Sequence, residues 1–251
     1  MLANARFGNG QRIVLLHGFT QTHETWTQIV ASLDEQFEVV AIDAPNHGNS
    51  SDISLNLESG AKAILDVGGD ATYVGYSMGG RFCLTAALAE PGKVQRLVLV
   101  SANAGIEDKE IRMARIRSDE ELARRIEQIG VPKFIDEWLQ QPLFSGLTAA
   151  TNQRSIRLKN TPIGLSSSLR LCGAGRQQPT WSRLQNLQMP VLVVAGANDT
   201  KYVEVANRIA ATIGENATLK IIQHSGHTPH IEQPEHFANI LQKFVSSTGN
   251  H

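Results

Sequence analysis

Cysteine is scarce in this 251-residue chain. Cys83 and Cys172 are the only two, too few for a disulfide framework and spaced like no metal-binding motif. An excess of one charge is also lacking: 23 Lys and Arg stand against 24 Asp and Glu, a formal net charge of −1, so no basic footprint argues for nucleic acid. Long hydrophobic runs are missing. Stretches such as Ile13-Val14-Leu15-Leu16 fall far short of the ~20 residues that span a bilayer, and the opening MLANARFGNGQR has none of the apolar core of a secretory signal. There is no internal repeat and no low-complexity segment. These absences leave a reduced, cytoplasmic, soluble protein as the expectation, with no membrane span and no nucleic-acid partner; oligomeric state is not legible. With 41% hydrophobic and 19% charged residues the balance is that of a globular chain, long enough to bury roughly 70–75% of its unfolded surface.

What is present divides into two kinds of sequence. Residues 1–104 and 188–251 alternate short apolar segments with amphipathic ones. Strands are predicted at Ile13–Leu16, Phe37–Ile42, Ala71–Val74, Arg96–Val100, Val191–Ala195 and Leu219–Ile222, all rich in Val, Ile and Leu, as parallel strands buried on both faces require. Helices are predicted between them, at roughly Thr25–Leu33, Leu55–Asp66, Met78–Ala89, Val203–Ile213 and Pro234–Val245. Strand–helix alternation at this spacing implies βαβ crossovers and an α/β sheet.

Residues 105–187 break the pattern and contain no convincing strand. Ile111, Leu122, Ile126 and Ile129 are spaced as one helical face that ends at Gly130-Val131-Pro132, and further helices are predicted around Lys133–Leu139, Thr148–Leu158 and Gly164–Leu171. A helical stretch inserted between two strands of an α/β sheet reads as a lid over the strand ends. The organisation is thus a first core part (1–104), a helical lid (105–187) and a second core part (188–251). Charge follows the same division. The lid holds 13 Lys and Arg against 9 Asp and Glu, a net of +4, while the remainder holds 10 against 15, a net of −5. Ten of the 13 lid cations are arginine. A solvated helical surface accounts for most of them; a few turned inward would suit a carboxylated ligand, because the planar guanidinium fork meets a carboxylate bidentately.

The strongest chemical signal is Gly75-Tyr76-Ser77-Met78-Gly79-Gly80, directly after the strand Thr72-Tyr73-Val74 and before the helix that begins Arg81-Phe82-Cys83. This is G-x-S-x-G in the strand–turn–helix setting it needs: a turn this tight leaves no room for side chains two residues either side of the serine, and the helix N-terminus favours negative charge at the Ser77 hydroxyl. A serine hydroxyl is a poor nucleophile or base until an imidazole takes its proton. Of eight histidines, His227 in His224-Ser225-Gly226-His227 follows the last strand and is the best placed; His17 and His47 read as loop-shaping residues, and His23, His230, His236 and His251 lack supporting context. Asp199, in Gly196-Ala197-Asn198-Asp199 after the preceding strand, is the carboxylate to orient that imidazole, with Asp43 as its rival. The order serine, aspartate, histidine is that of α/β-hydrolases. An oxyanion hole would combine the N–H groups of Met78 and of Phe19, in the loop after the first predicted strand.

His17-Gly18, the Ser77 motif, Gly196-x-x-Asp199 and Gly226-His227 together resemble the α/β-hydrolase superfamily, which implies a mostly parallel twisted sheet flanked by helices. The lid resembles a narrower group. Ser77-Met78-Gly79-Gly80-Arg81, Arg112-Met113-Ala114-Arg115, Asp119-Glu120, the run Phe134 to Phe144 and Gln178-Pro179-Thr180-Trp181 look like the 2-succinyl-6-hydroxy-2,4-cyclohexadiene-1-carboxylate synthases of the MenH type, as do Lys201 and Tyr202 behind Asp199. Leu139 stands where many of them have tyrosine. That resemblance implies a carbon–oxygen lyase of menaquinone biosynthesis, which eliminates pyruvate from 2-succinyl-5-enolpyruvyl-6-hydroxy-3-cyclohexene-1-carboxylate with no metal or organic cofactor. It also implies that Arg81, Arg115 and Arg157 bind the three carboxylates of that small anionic substrate, and that Tyr76 and Trp138 line the pocket. The alternatives are a carboxylesterase or C–C bond hydrolase that forms an acyl-enzyme on Ser77, and a catalytically idle ligand receptor on the same scaffold.

Overall fold

Period-two alternation decides how the centre of the molecule is built. In the computed structural model, which describes residues 1–247 and so excludes His251, seven strands make one sheet. They are β1 (Asn4–Phe7), β2 (Gln11–Leu16), β3 (Phe37–Ile42), β4 (Ala71–Tyr76), β5 (Val94–Val100), β6 (Val191–Gly196) and β7 (Ala217–Ile222), in the spatial order β1-β3-β2-β4-β5-β6-β7. All neighbours are parallel except β1, which runs antiparallel to β3 at one edge. The helices are α1 (Thr27–Leu33), α2 (Leu57–Gly68), α3 (Met78–Ala89), α4 (Lys109–Leu139), α5 (Arg154–Arg157), α6 (Pro162–Cys172), α7 (Thr200–Ile213), α8 (Pro229–Glu232) and α9 (Pro234–Ser246).

Because successive side chains of a strand point to opposite faces, each central strand feeds two cores. Val14 and Leu16 of β2, Val40 and Ile42 of β3, Leu97 and Leu99 of β5 pack with α2, α3 and α7 on one face. Ile13 and Leu15, Val39 and Ala41, Val98 and Val100 pack with α1 and α9 on the other. Each such fully buried side chain contributes roughly 1.5–3 kcal/mol, so the central strands have no solvent face. That is why they read as unbroken apolar runs.

Two sequence expectations are corrected and one strand is added. β1 had no counterpart among the predicted strands: Asn-Ala-Arg-Phe is a half-exposed edge with neither alternation nor an apolar run, and its pairing with β3 creates it. Ile111 does not share the buried lid face with Ile126. It is 61% exposed, and the cluster that α4 forms with α6 takes in Ala123, Ile126, Phe134 and Ile135 but not Ile111. The helix expected over Thr148–Leu158 is helical only at α5. Thr148 to Asn152 form a hydrogen-bonded turn instead, and Gln153 takes a left-handed conformation at φ 56°. The break expected near Gly130 is present within α4, where Gly130 (φ 76°, ψ 166°) lets the chain turn before Pro132.

Parallel strands bring their C-terminal ends to one edge, where ligands of α/β sheets bind. The residues following β2, β4, β6 and β7 are His17 to Phe19, Ser77, Asn198-Asp199 and Ser225 to His227. Among the described residues, the segment 105–187 contains α4, α5, α6 and short turns, and no strand. Trp181, from the Gln-Pro-x-Trp run, closes it onto the core: its Nε1 donates to Gly105 O at 2.8 Å, and the Arg208 guanidinium lies 3.8 Å from its ring centre. Among the described residues no helix is long and apolar enough to cross a membrane.

Candidate active site

Ser77 sits between β4 and α3 with φ 51° and ψ −106°, a backbone conformation that side-chain-bearing residues rarely adopt. Two glycines make it possible. A Cβ on Gly75 would lie 2.4 Å from the Gly79 carbonyl, and one on Gly79 would lie 2.3 Å from the Leu16 carbonyl oxygen. The bend is held by the Ser77 N–H, which donates to Val100 O at 2.8 Å.

His227 reaches this serine from the loop after β7. Its Nε2 lies 3.3 Å from Ser77 Oγ, and its Nδ1 lies 2.7 Å from Asp199 Oδ2. Asp199 is fixed in turn, since its Oδ1 accepts from the Tyr202 N–H at the start of α7. The two loops brace one another through Asn198 N–H to Ser225 O at 2.9 Å. Gly196 permits the contact: a Cβ there would come within 2.0 Å of the Gly226 carbonyl oxygen. His227 is 2% exposed, with the Tyr202 ring 4.4 Å and the Tyr76 ring 5.4 Å from its own. A nearly dry imidazole, a carboxylate and a hydroxyl in this chain of contacts can move a proton from the hydroxyl and stabilise the imidazolium that results.

Met78 occupies the first position of α3, where a helix leaves its N–H groups without internal partners. Phe19 lies in the loop after β2, which is shaped by Gly18 N–H to Gln21 Oε1 at 3.0 Å and by the Tyr76 ring; a Cβ on Gly18 would meet that ring at 2.5 Å. His17 supports the same loop. Its Nδ1–H donates to Gly18 O and its Nε2 accepts from Ala44 N–H, and burial pulls its pKa down to about 4, so it stays neutral. His47 is similarly committed, with Nδ1–H donating to Pro45 O and burial lowering it to about 3. Asp43 is no alternative to Asp199. It accepts from the backbone N–H groups of His23 and Asn49 and pairs with the His23 ring at 2.8 Å. Burial pushes it up, yet these partners outweigh burial and bring it down to about 2.

The three arginines differ in kind. Arg81 lies one turn along α3 from Ser77, is 8% exposed, has an Nη1 with no partner and makes no ion pair among the described residues. Burial lowers its pKa. Arg157 is 1% exposed and pairs with no carboxylate among the described residues. It donates to Asn152 O and Thr20 Oγ1, leaves Nη2 unpartnered and packs over the Phe144 ring at 5.4 Å. Burial pushes it down to about 10, and the Tyr76 phenol is its chief electrostatic neighbour. Arg115 is not gathered in the same way: its side chain is 44% exposed and its Nε bonds Asp119 Oδ1 at 2.8 Å. Trp138 is half-buried in an aromatic wall with Phe19 (5.3 Å), Phe134 and Phe144 (both 5.8 Å).

Sequence reasoning set aside one residue beside these and overlooked another. His230 is buried against the rings of Tyr76 (4.4 Å) and Trp26 (4.5 Å), with burial lowering it to about 3. Glu232 accepts hydrogen bonds from the residues on both sides of His227. The only available signal was an acidic residue five positions after the histidine, ahead of a Pro-headed helix. No group of three or more His, Cys, Asp or Glu among the described residues could hold a metal ion.

Comparison with known proteins places the chain in a family. A family model described as "Alpha/beta hydrolase family" matches residues 13–240. The chain belongs to that family. It is 32% identical over 94% of its length, and 91% of the relative, to a Bacillus subtilis protein provisionally named 2-succinyl-6-hydroxy-2,4-cyclohexadiene-1-carboxylate synthase. It is 29% identical, over 94% of each chain, to the Serratia proteamaculans protein of that name. Among solved structures, MenH from S. aureus superposes with a TM-score of 0.91 at 29% identity, covering 98% of both chains.

Proposed function

We propose that this α/β-hydrolase-family protein is a 2-succinyl-6-hydroxy-2,4-cyclohexadiene-1-carboxylate synthase, a carbon–oxygen lyase of menaquinone biosynthesis. The observation that carries this reading is the pair of buried arginines, Arg81 and Arg157, without carboxylate partners among the described residues. A buried, unpaired guanidinium is costly unless an anion completes it. A substrate with three carboxylates does so, with Arg115 at the more exposed side taking the third. The likeness to synthases of that name over nearly the whole chain supports the same substrate.

The chemistry follows from the Ser77 contacts. Ser77 Oγ, giving up its proton to His227 Nε2, removes the acidic proton α to the succinyl ketone. Asp199 holds the imidazole in the Nδ1–H tautomer and stabilises its cationic form. The ketone oxygen takes up negative charge against the N–H groups of Phe19 and Met78. The electron pair then moves through the ring and breaks the carbon–oxygen bond to the enolpyruvyl group, which takes a proton and leaves as pyruvate. The ketone itself delocalises the charge, so no step calls for a metal or organic cofactor.

Coupled measurement of pyruvate release with purified protein tests the reading. Turnover is expected with the wild-type chain and is lost in Ser77→Ala. Rapid cleavage of neutral p-nitrophenyl esters, with no gain from carboxylates on the substrate, would instead favour a general ester hydrolase.

A further inference from the structure

The carboxylate of Glu232 makes no contact with the serine, yet it bonds to the chain on both sides of the histidine. Its Oε2 accepts from Gly226 N–H at 2.9 Å, and its Oε1 accepts from Thr228 N–H at 3.1 Å and Thr228 Oγ–H at 2.8 Å. The Glu232 N–H donates back to Thr228 O at 2.9 Å, which closes the segment into a ring. His227 is thus the one residue between two anchor points on a single side chain. Charge-assisted bonds of this type are about twice as strong as neutral ones.

The same carboxylate also meets the lid. Gly146, in the turn that follows Phe144, approaches so closely that a Cβ on it would lie 2.0 Å from Glu232 Oε2 and 2.8 Å from Cδ. Two residues earlier the Phe144 ring packs on Trp138 and lies beneath the Arg157 guanidinium. One side chain therefore touches the histidine loop and the lid segment that backs a buried arginine.

We propose that Glu232 is a positioning residue that registers His227 against Ser77 and seats the lid turn at Gly146, so that a displaced lid is felt at the imidazole. The kinetic part rests on the catalytic role given above to His227; the structural part does not. Glu232→Gln keeps the shape but turns an amide NH₂ toward a backbone N–H. It is expected to lower kcat roughly tenfold to 100-fold with KM within about twofold. It is also expected to shift or broaden the low-field proton resonance of His227 Nδ1–H, which is bonded to Asp199. Gly146→Ala, at an exposed position that removes no donor, is expected to move the same resonance. Wild-type kcat together with an unmoved resonance in Glu232→Gln overturns the proposal. Should that variant be too unstable to measure, an unmoved resonance in Gly146→Ala overturns it. If His227→Ala keeps full turnover, the base assignment fails and the resonance alone judges Glu232.

Discussion

The sheet core is packed on two large apolar clusters, whereas the lid has one small cluster and a surface laced with ion pairs. In the core, Leu15, Leu16, Val39 and Val98 are fully buried, and the glycines around Ser77 leave backbone against backbone with no room for a methyl group. The lid has one small apolar cluster around Ile126, Phe134 and Leu165. Its surface carries ion pairs instead: Arg170 with Glu120 and Glu127, Arg124 with Glu120, Arg125 with Glu137, and Arg154 with Asp136. Exposed pairs of this kind add little stability. The lesson lies in the exceptions. Arg157, in the lid, and Arg81, in the core, are cations placed where burial rules, each with a guanidinium nitrogen left without a partner, and the proposed function gives that pair an anion to bind.

That contrast can be broken most decisively at the core. Ser77→Ala should reduce pyruvate release at least about 10³-fold while leaving the unfolding midpoint in place, measured by the coupled assay and by calorimetry. Residual activity near wild type would remove the serine from the chemistry. Next come the buried cations. Arg81→Met and Arg157→Met should each lower kcat/KM roughly 10- to 100-fold, and Arg81→Met should at the same time raise the melting temperature, because it removes a buried charge that the protein alone does not neutralise. Unchanged kinetics in both variants would reduce the arginines to packing.

The core's intolerance of volume is sharpened by Gly79→Ala. Its Cβ would meet the Leu16 carbonyl, and a loss of about 1–3 kcal/mol is expected in denaturant unfolding. Acid also destabilises the core. His17, His47 and His230 are held by burial at about 4, 3 and 3. The unfolded chain therefore binds protons that the folded chain refuses, and stability falls as pH drops below ~6.5, until these groups themselves titrate. His230→Phe keeps the stacked ring and should reduce the slope of stability against pH by about 1.4 kcal/mol per unit in that window. An unchanged slope would mean that His230 takes up its proton in the folded state. The smallest effect is expected on the lid surface. Arg124→Ala should move the melting temperature by no more than about 1 °C.

Much of the fold was legible because a buried parallel strand has no alternative spelling. Five of the six predicted strands lengthen by a residue or two in the structure, and Phe37–Ile42 stands as read. β1 was illegible for the opposite reason: an edge strand needs only a partner, and its own residues carry no pattern. In the lid, Ile111 misled because helical spacing says which residues share a face, not whether anything lies against it. Ser77, Asp199 and His227 could be chosen because each follows a strand in a parallel sheet. Glu232 could not, since a carboxylate that collects N–H groups from a loop has no spacing rule.

The amino-acid order by itself determined a parallel sheet, a serine on a glycine-flanked bend and a helical insertion rich in arginine, because apolar runs, glycine and charge act over a few residues. Only the tertiary structure decided which arginines lie buried without a carboxylate, which histidines are locked neutral and which side chain braces the imidazole loop. Those properties depend on what residues distant in sequence place beside each group. Arg157 is buried against Thr20 and Phe144, and His230 against Tyr76 and Trp26, contacts that local pattern cannot encode.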